Sequence, residues 1–267
     1  MAKTLMEVPG VQAAVLGGSH CTGTATAFSD LDIGVYYENG LDTMRMGEAL
    51  TLLDDEHRDN IFNKPGDWGK WINGGAWLTV DGIRVDILLR DSAQVGQVIT
   101  DCQNGRVTMD FQAGHPFGFV NAIYMGEVKY CLTMADPKGV MAHLKHLTEP
   151  VSQAYRDAAS KRFLWEAEFS ASTGRSGAAK EDIVYASGCL FKGVVCLIQA
   201  LFSANGEILL NEKGAVRRLH QMPFCPPGFA KGLEAVLQGL NKSNLMPCFD
   251  LLEEKCSETS KLLGGNE

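Results

Sequence analysis

Two aspartates two residues apart, Asp30 and Asp32, carry the first chemical signal in this chain. They stand at the head of Leu31-Asp32-Ile33-Gly34-Val35-Tyr36, whose period-two alternation predicts a half-buried strand. Residues two apart on a strand point to one face, so both carboxylates face one way while Leu31, Ile33 and Val35 face the other. Adjacent carboxylates repel each other and are tolerated when a divalent cation lies between them. Mg²⁺ prefers oxygen ligands and commonly bridges carboxylates to phosphates. A third acid, Asp86, interrupts the apolar run Val85-Asp86-Ile87-Leu88-Leu89, on the face shared with Arg84 and Leu88. If its strand neighbours that of Asp30 and Asp32, three carboxylates converge.

A phosphate-binding turn is expected beside them. The run Val11–Leu16 reads as a buried strand ending at Gly17-Gly18, and a short helix follows with Ser19 as its expected N-cap. Glycines at such a bend let a ligand approach the backbone, and the free N–H groups of a helix start attract phosphate. Three acids beside such a turn are the equipment for two-metal phosphoryl or nucleotidyl transfer.

The elements that must position these groups are legible around them. Thr43 to Glu56 has apolar residues at near-helical spacing. Ala76–Val80 and Ile83–Leu89 flank Asp81-Gly82, a favoured two-residue hairpin turn. From Asp136 the pattern turns helical. Asp136-Pro137 is expected to start one helix, and a second is expected from about Pro150 to Phe169. A loop is expected at Thr173–Gly177, followed by helices over Glu181–Phe202, after Asn211, near Phe229–Leu240 and near Leu245–Leu262. The expectation is an α+β chain: a small mixed sheet domain over 1–135, then a helical bundle over 136–267.

Composition narrows the partners. Of 267 residues, 45% are hydrophobic, which excludes disorder of the whole chain. Lys and Arg number 24 against 32 Asp and Glu, a formal charge of −8 with no long basic run. That balance disfavours nucleic acid and favours a cationic small molecule or a metal-escorted anion. The eight cysteines form no CxxC pair and read as reduced thiols, so a cytoplasmic protein is expected. The apolar run Val184–Phe202 contains Lys192, Gly188 and Gly193 and reads as a buried helix rather than a membrane span.

Gly17, Gly18, Ser19, Gly23, Ser29, Asp30, Asp32 and Asp86 together resemble the pattern of the nucleotidyltransferase superfamily related to DNA polymerase beta. The motif covers residues 15–90, and the two-part layout is similar to that of the bacterial antibiotic nucleotidyltransferases for aminoglycosides and lincosamides. The resemblance implies a nucleoside triphosphate, ATP by family habit, and Mg²⁺, two ions being expected. Asp30, Asp32 and Asp86 would be metal ligands and catalytic residues. Gly17, Gly18, Ser19 and Ser29 would contact the nucleotide. It further implies a phosphate contact from a basic residue of the helical half, with Lys192 and Lys213 as candidates. Either Asp86 or a glutamate of that half, Glu166 or Glu168, would be the base. The implied acceptor is a small, cationic, antibiotic-like hydroxyl compound; a protein or tRNA acceptor, or a non-catalytic nucleotide-binding or antitoxin-like module, is the alternative. A homodimer stays open. Trp68, Trp71 and Trp77 read as packing residues ahead of a substrate-stacking surface.

Overall fold

The computed structural model describes residues 1–23, 25–26 and 29–264. They form two compact units: Met1–Cys102 with Thr108–Pro150, and Gln103–Val107 with Val151–Glu267. The expected division at 135/136 differs from this grouping, because residues 108–150 make their contacts within the first unit.

In chain order the first unit holds α1 (Ala2–Met6), β1 (Val11–Leu16), α2 (Gly18–Cys21), β2 (Leu31–Tyr37), α3 (Thr43–Leu53), α4 (Gly69–Ile72), β3 (Gly75–Val80), β4 (Ile83–Asp91), α5 (Ser92–Gln103), β5 (Met109–Asp110), β6 (Phe119–Val120), α6 (Ala122–Tyr130), β7 (Leu132–Ala135) and α7 (Val140–Thr148). Five strands make one mixed sheet in the order β3-β4-β2-β1-β7. Only β2 and β4 run parallel, joined by a crossover that contains α3; the other neighbours are antiparallel.

Alternation along the strands sorts the sheet into two faces. Ile33, Val35, Ala76, Leu78, Val85, Ile87 and Leu89 point to one face and pack with Leu5 of α1 and Met46 and Leu50 of α3 in a single apolar core. The α3 helix starts where Asp42 accepts from the N–H groups of Met44 and Arg45 at 3.1 and 3.0 Å, a standard N-cap. The hairpin turn is the expected one. Asp81 and Gly82 have φ of 52° and 74°, the paired positive values of a type I′ turn.

The second unit holds α8 (Gln153–Ala178), α9 (Ile183–Ala204), α10 (Ala215–Leu219), α11 (Phe229–Leu237), a 3₁₀ turn (Lys242–Asn244) and α12 (Leu245–Gly264). Ser152 and Asp182 cap α8 and α9 by accepting from Tyr155 and Tyr185 N–H. By length and composition α9 could cross a membrane; here it packs on α8 and α12, and Gly193 lies under the Leu252 side chain.

Three sequence expectations are corrected. Ser19 lies inside α2, whose N-cap is Gly17. The α7 helix starts at Val140 with Gly139 as N-cap, because a turn closed by Gly139 N–H to the Asp136 carbonyl delays it; the Asp136 side chain still accepts from Ala142 N–H at 3.0 Å. The expected loop Thr173–Gly177 is helix, part of α8. Its glycines serve helix packing rather than a bend: a Cβ at Gly174 would crowd Cys189 and the Phe249 ring, and one at Gly177 would crowd the Tyr185 ring.

Candidate active site

The site is built around the parallel pair β2 and β4. Their register sets Asp32 opposite Asp86, flanked by Leu31 opposite Val85 and Ile33 opposite Ile87. Opposed residues of neighbouring strands share a face, so the two acids stand side by side on the face turned away from the apolar core. Both are half-buried.

The glycine turn is tied to this pair. Gly17 N–H donates to the Asp32 carbonyl at 2.8 Å, which pins the end of β1 to the start of β2. Gly18 has φ of +60°, and a Cβ there would overlap the Asp32 carboxylate. Backbone conformation and close approach therefore both require glycine at this position. Ser19 follows in the first turn of α2.

Asp30 and Ser29 are placed differently. The Asp30 carboxylate forms an ion pair with Arg84, Oδ1 to Nε 2.7 Å, as the register predicts, since Arg84 precedes Asp86 by the same two residues by which Asp30 precedes Asp32. Arg84 is well exposed, so this ion pair contributes little to stability. The Ser29 hydroxyl accepts from Thr26 N–H at 2.8 Å and so holds a local turn. Among the described residues, no three Asp, Glu, His or Cys side chains come together closely enough to hold a metal ion.

Farther along the same face the sheet is closed. Arg90 is buried, and its guanidinium makes a two-point contact with Glu127 of α6, both hydrogen bonds 2.8 Å, while Nη1 donates to the Ile72 carbonyl at 2.9 Å. Burial alone would lower the Arg90 pKa; the Glu127 carboxylate outweighs it and the net shift is upward. Burial raises the phenols of Tyr36 and Tyr124 on the same side, Tyr124 to about 12. Those groups hold structure and are not poised to transfer protons near neutrality.

Sequence reasoning undervalued one part of this face. The two-residue hairpin turn sets Val80 opposite Ile83 and Trp77 opposite Asp86. Trp77, Asp86 and Asp32 therefore form one row across β3, β4 and β2. Trp77 is 59% exposed and stacks on Trp68, with centroids 4.5 Å apart. Trp71, in contrast, is buried as expected of a packing residue. Counting back from Asp81-Gly82 would have revealed the row.

Gly17, Gly18, Ser19, Asp30, Asp32 and Asp86 thus gather in the first unit, while Lys192 and Lys213 belong to the second. There Lys192 Nζ pairs with Glu166 at 3.2 Å, and Glu166 also accepts from Arg162 at 2.9 Å. Lys213 is exposed. Glu168 lines a cavity of about 450 Å³ with Glu253, Cys256 and Lys261.

Comparison with known proteins gives two findings. Residues 2–107 match the nucleotidyltransferase domain family, a span that includes every site residue of the first unit named above. The chain is also similar to a nucleotidyltransferase-like protein from Exiguobacterium sibiricum 255-15, with a TM-score of 0.49 and 11% identity over 98% of this chain and 74% of that one. None of the curated proteins matches the chain.

Proposed function

We propose, from the match of residues 2–107 to the nucleotidyltransferase domain family, that this chain is an enzyme that moves a nucleoside monophosphate, AMP from ATP, onto a hydroxyl of a small cationic acceptor of antibiotic-like kind. The observation that carries the reading is the register of β2 and β4, which sets Asp32 beside Asp86 next to the glycine turn.

In this reading the backbone of Gly17 and Gly18 and the hydroxyl of Ser19 receive the outer phosphates. The acids offer only hard oxygen donors, the set that Mg²⁺ takes, with one or two carboxylates and substrate phosphates completing its shell. Asp32 and Asp86 would hold it, and Asp30 would join them on giving up its ion pair with Arg84. Bound Mg²⁺ would neutralise phosphate charge and polarise the α-phosphoryl group. Asp86, at the side of the row away from the glycine turn, takes the proton of the acceptor hydroxyl. The acceptor oxygen forms a bond to the α-phosphorus while the bond from that phosphorus to the bridging oxygen breaks. The electron pair leaves on pyrophosphate, and Asp86 passes its proton to water. Lys192 and Lys213 are proposed as cations for the phosphates, which Lys192→Ala and Lys213→Ala would reveal as a raised KM for ATP.

The test is pyrophosphate release with ATP, GTP, CTP and UTP against a panel of hydroxylated amines, with Mg²⁺ and with EDTA. Release that needs an amine, needs Mg²⁺ and is fastest with ATP is the expected result. No release with any pair, or release undiminished by EDTA, overturns the reading.

A further inference from the structure

We propose that the stacked indoles of exposed Trp77 and half-buried Trp68 form the surface on which a ring of the acceptor lies. The inference rests on the proposed transfer reaction and adds to it the residues that seat the acceptor.

Position comes first. Across the sheet the order is glycine turn, Asp32, Asp86, Trp77. A displacement at phosphorus is in line, with the entering oxygen opposite the leaving one. With the outer phosphates at the glycine turn, the leaving pyrophosphate lies on the β1 side. The entering hydroxyl must then come from the β3 side, where Trp77 stands next to Asp86.

The pair is also built, not incidental. Trp68 is carried by a loop whose ends are clamped where Asn63 and Gly75 exchange backbone hydrogen bonds of 2.8 and 2.9 Å. Within the loop, Trp68 N–H donates to the Asn73 carbonyl at 3.0 Å, and Gln112 Nε2 donates to the Trp68 carbonyl at 2.9 Å. Asn73 is held at φ of 71° and donates to the Tyr37 hydroxyl at 2.8 Å. Trp71 roots the loop: its indole N–H donates to Asp110 at 2.9 Å and its ring stacks on Phe119. Gly75 clears the ground for the Trp68 ring, which a Cβ there would meet at 3.0 Å. This framework holds Trp68 against Trp77 and leaves Trp77 open to solvent beside Asp86.

The chemistry of the occupant follows. Indole faces bind the apolar face of a ring and attract cations through the ring quadrupole. The neighbouring carboxylates of Asp86 and Asp32 add to the preference for a cation.

The chain has four tryptophans, so its indole N–H signals form a set of four, assignable by single Trp→Phe replacements. Neamine, a ring polyol with amines, serves as probe against MgATP and spermine. The expected result is that neamine shifts the Trp68 and Trp77 signals and leaves Trp71 in place. Trp77→Ala and Trp68→Ala should each weaken neamine binding about tenfold and leave the MgATP affinity unchanged, while Trp77→Phe retains most of the binding. The proposal is overturned if neamine leaves both signals unmoved, if spermine moves them as far as neamine does, if the alanine variants bind neamine as the parent does, or if MgATP shifts the pair instead. A chain that shifts these indoles with neamine but neither binds MgATP nor releases pyrophosphate would refute the transfer reading and leave the ring surface standing.

Discussion

The two faces of the five-stranded sheet are made from the same strands, often from adjacent residues, yet they do opposite things. Ile33 and Ile87 face α1 and α3 and are almost wholly excluded from water, at 2% and 0% exposure. Their neighbours Asp32 and Asp86 face the other way and stand beside the glycine turn. One face stabilises the fold by burying apolar area. The other brings like charges together, an arrangement that costs stability and that a bound cation would relieve in the proposed reaction. A strand's period of two lets both tasks share one backbone without competing for the same positions.

Substitutions on the two faces should therefore separate activity from stability. Asp32→Asn or Asp86→Asn should lower pyrophosphate release by ~10²-fold or more, since in the proposed reaction a metal-binding carboxylate accounts for several kcal/mol of transition-state stabilisation, with a melting temperature unchanged or raised as the like-charge repulsion is removed. Ile87→Ala, one residue away, should cost about 2–5 kcal/mol in denaturant unfolding and, in the fraction that folds, leave the rate near that of the parent. If the aspartate variants unfold as readily as Ile87→Ala, the division between the faces fails.

A smaller effect sharpens the same comparison at the turn. Gly18→Ala must place a Cβ at positive φ and into the Asp32 carboxylate. The backbone penalty is about 1–2 kcal/mol. The displaced carboxylate should lower the rate by ~10²-fold at most, because small misplacements of reacting groups are costly. Measuring melting temperature beside kcat decides whether conformation or carboxylate displacement dominates. An unchanged rate would show that the close approach of Gly18 to Asp32 has no bearing on activity.

The smallest effect is on the core side. Asp54 is buried at the end of α3, accepts from Arg58 at 2.7 and 2.8 Å, and accepts from Thr79 N–H at 2.9 Å. The Arg58 hydrogen bonds, helped by Thr79, hold its carboxyl far below the usual carboxylate range. A depressed folded value stabilises the protein above the unfolded value of ~4, and that stability fades as pH falls through the folded value. Asp54→Asn should therefore cost about 1–2 kcal/mol at neutral pH, discounted for the half-exposed Arg58, and the difference from the parent should shrink below pH ~4. Urea unfolding across that range checks it; a difference that grows on acidification contradicts the assignment.

Much of the candidate site was legible in local chemistry. Gly17-Gly18 after an apolar run, Asp30 and Asp32 heading an alternating strand, and the Asp81-Gly82 turn each follow from short-range preferences, and the structure contains each of those elements. The same short-range reading failed at Thr173–Gly177, where local composition favours a loop but Gly174 and Gly177 admit Cys189, Phe249 and Tyr185 from α9 and α12. It also failed to foresee that Arg84 would engage Asp30, or that Lys192 of α9 would engage Glu166 of α8, because such ion pairs depend on which elements become neighbours; Arg162 and Glu166, in contrast, are an i,i+4 pair within α8 that helical spacing alone permits.

The amino-acid sequence alone determined which residues alternate, where the chain turns and which side chains could bind phosphate or a cation, since steric preference and side-chain period act over a few residues. Tertiary structure alone decided that β4 lies parallel to β2, with Asp86 level with Asp32 rather than one residue out of step. A slip of one position would turn every side chain of that strand to the opposite face. The choice is made by the burial of Ile33, Val35, Val85, Ile87 and Leu89 in a common core, a cooperative requirement that no single segment contains.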